Sequence, residues 1–142
     1  MKKLVALLAV ALPLMGQAQP PEGQDWWACQ SVEYGGLKWE NGKWKGTLFN
    51  HDKRFVLIAE DGGLKKSSVA KAMDAYPEEL ICSNQNVAGH IFCLSEWTGD
   101  SFGFDPQTGN GSIGGILGAV LEPSANGSRD TLGVTAFECA KG

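Results

Sequence analysis

The sequence predicts a mostly β, single-domain protein: about eight short antiparallel strands in a meander, forming a small closed or partly open β-barrel with one short helix and two disulfides. A β-sandwich is the alternative architecture. Three observations carry this expectation. Short β-prone runs are punctuated by turn residues roughly every ten positions. Asn41-Gly42 stands between two such runs as the centre of a tight hairpin. Four cysteines follow a chain start that reads as an export leader.

Lys2 and Lys3, the apolar run Leu4 to Leu12, and the small residues Gly16 and Ala18 match the three regions of a cleavable signal, so residues 1–18 are expected to be removed. Gln19 and Pro20 follow and the first cysteine is Cys29, so no lipid-attachment cysteine stands at the expected cut. The apolar run is shorter than the roughly 20 residues a membrane helix needs, and no membrane insertion is expected. Residues 19–142 then form one β domain of about 124 residues, in the periplasm or secreted. All sixteen Asp and Glu lie in that part against ten Lys and Arg, a formal charge of −6 compared with −4 for the whole chain. Such a balance disfavours nucleic acid and anionic membrane as partners.

Oxidation of four cysteines makes two disulfides, with three connectivities. Loop entropy does not choose: pairing Cys29 with Cys139 and Cys82 with Cys93 is worth about 5 and 3 kcal/mol, against about 4 each for Cys29 with Cys82 and Cys93 with Cys139. Geometry favours the first set. With Asn86, Val87, Ala88 and Gly89 as a four-residue loop, Cys82 and Cys93 face each other across a hairpin. Closure of a meander makes the first and last strands neighbours, which brings Cys29 to Cys139.

The strands are expected near 27–39, 43–49, 54–60, 79–83, 90–97, 101–104, 111–121 and 131–139. The run Trp39-Glu40-Asn41-Gly42-Lys43-Trp44 is the clearest. Asn and Gly both tolerate positive φ, as a type I′ turn requires, which sets Glu40 opposite Lys43 and Trp39 opposite Trp44. Arg54 to Glu60 is apolar on both faces at its centre, as in a strand covered on both sides. Tyr34, Gly35 and Gly36 are expected to break the first strand with a bend or bulge. Between the third and fourth strands Ser67 is expected to cap a short helix through Ala72 or Met73, with Val69, Ala70 and Met73 inward and Tyr76 and Pro77 barring its continuation. Gly114, Gly115 and Gly118 suit sharp coiling of the seventh strand or close approach of the helix.

The hairpin turn resembles that of designed tryptophan-zipper peptides, which use the same cross-strand indole pair; this concerns folding only. Gly42, Lys43 and Trp44 are also similar to the G-x-W near the start of lipocalins. In that family the tryptophan packs the closed end of the barrel under an arginine from a late strand, for which Arg129 is the candidate. Here the glycine lies inside a hairpin turn rather than leading a strand, and no lipocalin binding residue is carried across.

Patterns that carry chemistry are sparse. Gly109, Gly111 and Gly114 match G-x-G-x-x-G, but follow a turn and lead into a β run, whereas nucleotide binding requires a strand before and a helix after. Asp100, Asp105 and Asn110 offer oxygens without the alternation of a calcium loop. His51 and His90 are the only histidines, no zinc spacing repeats, and no metal or cofactor is expected. No G-x-S-x-G occurs, His51 sits beside Asp52 in a turn and His90 starts a strand, so no catalytic residue is assigned. The acid pairs Glu60-Asp61 and Glu78-Glu79 fall at loop edges. Five tryptophans are more than a small core readily hides, and Trp26, Trp27, Trp39, Trp44 and Trp97 are the candidate binding patch. Trp26 and Trp27 are adjacent and must point to opposite faces of an extended chain.

The functional expectation is an exported binding protein without catalysis, holding a partner protein, as an inhibitor would, or a small apolar ligand. A carrier requires a dry cavity, an inhibitor only a filled core and an exposed patch. The alternatives are a small hydrolase using carboxylates of the Asp100 to Asn110 turns, and a self-associating envelope component.

Overall fold

The computed structural model describes residues 23–50, 52–83, 86, 88–115 and 132–142. The expected signal 1–18, His51, Val87, residues 116–121 with Gly118, and Arg129 lie outside these.

The strands are β1 (Trp26–Glu40), β2 (Lys43–Leu48), β3 (Arg54–Glu60), β4 (Gly63–Leu64), β5 (Leu80–Cys82), β6 (Ile91–Ser95), β7 (Ser101–Phe104), β8 (Asn110–Gly115) and β9 (Leu132–Lys141). Helix α1 (Lys66–Met73) and a 3₁₀ turn (Pro77–Glu79) lie between β4 and β5. All pairings are antiparallel, in the order β4-β3-β1-β9-β8-β7-β6-β5, with β2 added to β1. The result is one curled sheet, a half-barrel, rather than a sandwich of two. Of the closed and partly open forms the sequence allowed, the open one is found: β4 and β5 are the two ends, and α1 packs on both β3 and β5.

The plain meander is corrected in its first three strands. β1 is fifteen residues long, enough for two partners along one edge. Gly35 to Glu40 pair with β2, and Trp26 to Gln30 pair with β3. The link between those strands follows the same edge: Phe49 N–H donates to the Tyr34 carbonyl at 2.8 Å and Ser31 N–H to that of Lys53 at 2.9 Å. β2 and β3 are therefore successive stretches along β1, not neighbours of each other. The other edge of β1 carries β9 from Trp27 to Leu37.

The bulge lies earlier than expected, where the β1–β9 register shifts between Ser31 and Glu33. Gly35 and Gly36 stay in the ladder. Gly36 is there for close approach: a Cβ would stand 1.9 Å from the Leu132 carbonyl oxygen.

Helix α1 starts one residue before Ser67, with Lys65 at its N-cap and no side-chain cap. Ser68 holds this end instead. Its hydroxyl donates to the Lys65 carbonyl at 2.7 Å and accepts the Ile58 N–H at 3.2 Å, which ties the helix to β3. The helix runs to Met73, as expected, and closes at Asp74, in the left-handed region with φ 56°, ahead of Tyr76 and Pro77. β4 was not expected. Asp61 (φ 49°) and Gly62 (φ 76°) form a tight turn that sets Glu60 opposite Gly63, and Asp-Gly is a known signal for such a turn.

The concave side is filled by rings. Phe137 lies near parallel to Phe102 and Phe104, with centroids 5.6 and 6.2 Å apart, while Trp27 meets Phe104 edge-on at 5.4 Å and Phe55 meets Phe137 at 5.0 Å. Leu57, Val69, Leu80 and Ile91 complete this core. Both expected disulfides are present, Cys29–Cys139 and Cys82–Cys93, each joining residues directly opposite in register with Cα atoms 4.0 Å apart.

Candidate functional site: the outer face of the half-barrel

Residues directly opposite in an antiparallel ladder share a face. Ile91, Cys93 and Ser95 of β6 point inward and are buried, so Phe92 and Leu94 point outward. Ile81 lies opposite Leu94, and Gly103 opposite Phe92. Ile81 is 56% exposed, Phe92 50% and Leu94 47%. Gly103 admits the Phe92 ring, since a Cβ there would stand 3.3 Å from it. The next outward residues, Ser101 and Ser112, are uncharged, and His90 meets the Phe92 ring edge-on at 6.3 Å. Glu79 and Glu96, joined by a backbone hydrogen bond of 3.1 Å, form the acidic border next to Ile81 and Leu94. The result is an apolar patch on β5 to β7 with a charged border, which we call the lobe.

A second outward surface lies on the β1–β2 hairpin. Asn41 (φ 51°) and Gly42 (φ 77°) make the expected turn, Trp39 is opposite Trp44, and the two indoles meet edge-on at 5.2 Å. On the same face lie Leu37, Leu48 (75% exposed) and, on β9 opposite Gly35, Val134. The opposite face of the ribbon carries charge. Glu40 stands opposite Lys43 in register as expected, but its ion pairs go to Lys45 at 3.1 Å and Lys38 at 3.2 Å. Lys45 is its diagonal cross-strand neighbour and Lys38 lies two residues back on the same face. Hydrogen bonds from Lys45 and then Lys38 hold the Glu40 carboxyl below its ordinary range.

The five tryptophans do not make one patch. Trp27 is buried in the core with Lys141 Nζ 5.8 Å from its ring centroid. Trp26 points the other way, as adjacency demands, and Gly142 lies against its ring, so close that a Cβ there would stand 2.0 Å from it. Trp39 and Trp44 lie at the far end of β1, some twelve residues or about 40 Å along the strand. Trp97 stands apart in the β6–β7 turn, 78% exposed. The length of β1 sets the first two apart from the hairpin pair. It also sets Trp44 at a hairpin tip, away from the core position that a lipocalin tryptophan occupies.

The chemical patterns resolve into local structure. In the glycine pattern, Gly109 adopts φ 75° and packs a notional Cβ 2.3 Å from the Cys139 carbonyl oxygen, Gly111 lies under the Phe137 ring, and Gly114 is in ordinary contact. Asp100 and Asp105 flank β7 at opposite ends and are not brought together. Asp105 accepts from the Thr108 hydroxyl at 2.8 Å and the Gln107 N–H at 2.9 Å, and these bonds, Thr108 first, keep its carboxyl below the usual range. Asp61 is a turn residue, and Glu78 lies in the 3₁₀ turn with Glu79. Among the described residues no three His, Cys, Asp or Glu come together as metal ligands.

The lobe was not singled out in the sequence. Its signal was present in Ile91 to Ser95, where alternation places Phe92 and Leu94 on the face opposite Cys93. Comparison with protein-family models, with curated proteins and with solved structures finds no match for this chain. Two disulfides, and no helix among the described residues long and apolar enough to cross a membrane, are compatible with the periplasm or the exterior.

Proposed function

We propose that the chain is an exported, non-catalytic binding protein that engages a partner protein through the lobe of Ile81, Phe92 and Leu94. The observation that carries this reading is the exposure of three large apolar side chains on one face of a sheet whose other face is already packed. Apolar patches with a polar border mark interaction sites on soluble proteins. A protein partner is favoured over a small apolar ligand because stacked rings occupy the concave side where a carrier would hold its cargo. The two cross-links serve the same end, since a stapled surface loses little conformational freedom on binding. Export by a cleavable leader over residues 1–18 belongs to this reading, as it delivers the thiols to an oxidising compartment.

The test replaces Leu94 by arginine in the disulfide-bonded protein, with cross-linking in the native compartment and identification of what is joined. Wild type yields a defined partner cross-linked near β5 to β7, while Leu94→Arg loses it with thermal unfolding changed by no more than about 0.5 kcal/mol. Equal yields from both proteins, or cross-links that avoid this face, would overturn the reading.

A further inference from the structure

The hairpin tip has a different chemistry from the lobe. The β1–β9 ladder runs as far as the Leu37–Leu132 pair, and among the described residues 38 to 45 pair only across their own hairpin. This stretch holds three lysines (Lys38, Lys43 and Lys45) and one glutamate, a local excess of two positive charges in a chain of formal charge −4. On its outward face the two indoles sit beside Leu37 and Leu48, with Gly46 between them offering open space. One face is thus aromatic and aliphatic, the other cationic.

We propose that the tip of the β1–β2 hairpin docks on an anionic lipid surface. Two features select this occupant. Indoles settle at the boundary between hydrocarbon and headgroups because the ring is apolar and its N–H is wet. Lysines on the other face of a thin ribbon lay their methylene stems along the apolar layer while the ammonium groups reach the phosphates. The net negative charge does not prevent this. Charges more than a Debye length away, about 8 to 10 Å at moderate salt, are largely screened, so the tip's own lysines set the local field. Contact is peripheral and involves no crossing of the bilayer.

The surface lies at the opposite flank of the sheet from the lobe, so its test does not depend on the partner reading. The disulfide-bonded protein is mixed with extruded vesicles of phosphatidylcholine, with or without about 30% phosphatidylglycerol, at low and high salt. Expected are sedimentation with the anionic vesicles only, release by high salt, and quenching of tryptophan emission by brominated phosphatidylcholine included in those vesicles. Each lysine near an anionic surface is worth about a fivefold change in partition, so Lys43→Glu with Lys45→Glu should weaken binding by at least about 25-fold. Leu48→Asp should abolish the quenching. Leu94→Arg should change neither. Unaltered thermal unfolding of the lysine variant shows that its loss is not one of folding. Absence of partition at low salt, equal binding to neutral vesicles, or indifference to the lysine changes would overturn the proposal, as would loss in the lysine variant of an acidic protein partner with no vesicle binding by wild type.

Discussion

At the scale of single residues, glycine is used for space as well as for turning. Gly111 has no positive φ, yet a Cβ there would stand 2.1 Å from the Phe137 ring and 2.6 Å from the Gly103 carbonyl. Neither neighbour can retreat easily, since Phe137 is 1% exposed and Gly103 is held in the β7 ladder. Gly111→Ala should therefore destabilise the protein by about 1 to 3 kcal/mol in denaturant unfolding, as overpacking does. A cost near zero would mean that the ring moves aside. The sequence showed Gly111 as part of a nucleotide-like spacing, and its real constraint could not be read there. The ring that fills the space is contributed by β9, 26 positions later, and only the β8–β9 register brings the two together.

At the scale of elements, the hairpin was the most legible part of the fold. Asn41-Gly42 and the flanking indoles specify turn, register and pairing within six residues, and all three are found. Trp44→Ala should remove the exciton-coupled indole band from circular dichroism and cost about 1 kcal/mol or more. The same band reports the ion pairs of Glu40. A carboxyl whose folded pKa is depressed stabilises the structure above its unfolded value, about 4.3, and that contribution is lost as pH falls through the lower folded value. The band should therefore weaken below about pH 4 and hold from there to neutrality; an unchanged band in acid would show that Glu40 does not support the tip. Helix α1 was legible as a helix but not in its start. Ser67 reads as a cap by composition, whereas Ser68 is the residue that reaches Ile58, and that choice depends on where β3 lies in space.

At the scale of the whole molecule, the cysteine pairing was readable and the path of the sheet was not. Cys82 and Cys93 follow from local loop arithmetic, and Cys29 with Cys139 from joining the first strand to the last. Nothing in the residues 43 to 60 announces that β2 and β3 share an edge of β1, because the length of β1 makes this so and its partners leave no mark on its own pattern. The two bridges span loops of 110 and 11 residues. In the chain-entropy account, replacing Cys29 and Cys139 by alanine should cost about 5 kcal/mol and replacing Cys82 and Cys93 about 3. Equal losses in urea unfolding would indicate that the reduced chain keeps structure around the longer loop. The central position of β9 has a further consequence for biogenesis. The stretch from β5 to β8 is built from neighbouring segments and needs only a short loop to close, so it can organise early, with its own cross-link as a local clasp. The seam between β1 and β9 joins segments more than a hundred residues apart, so β1 must wait for the last ten-residue strand to arrive. Until then Cys29 is a thiol without its mate, and an oxidant that acts before the Cys82–Cys93 clasp has closed can join it to the wrong one.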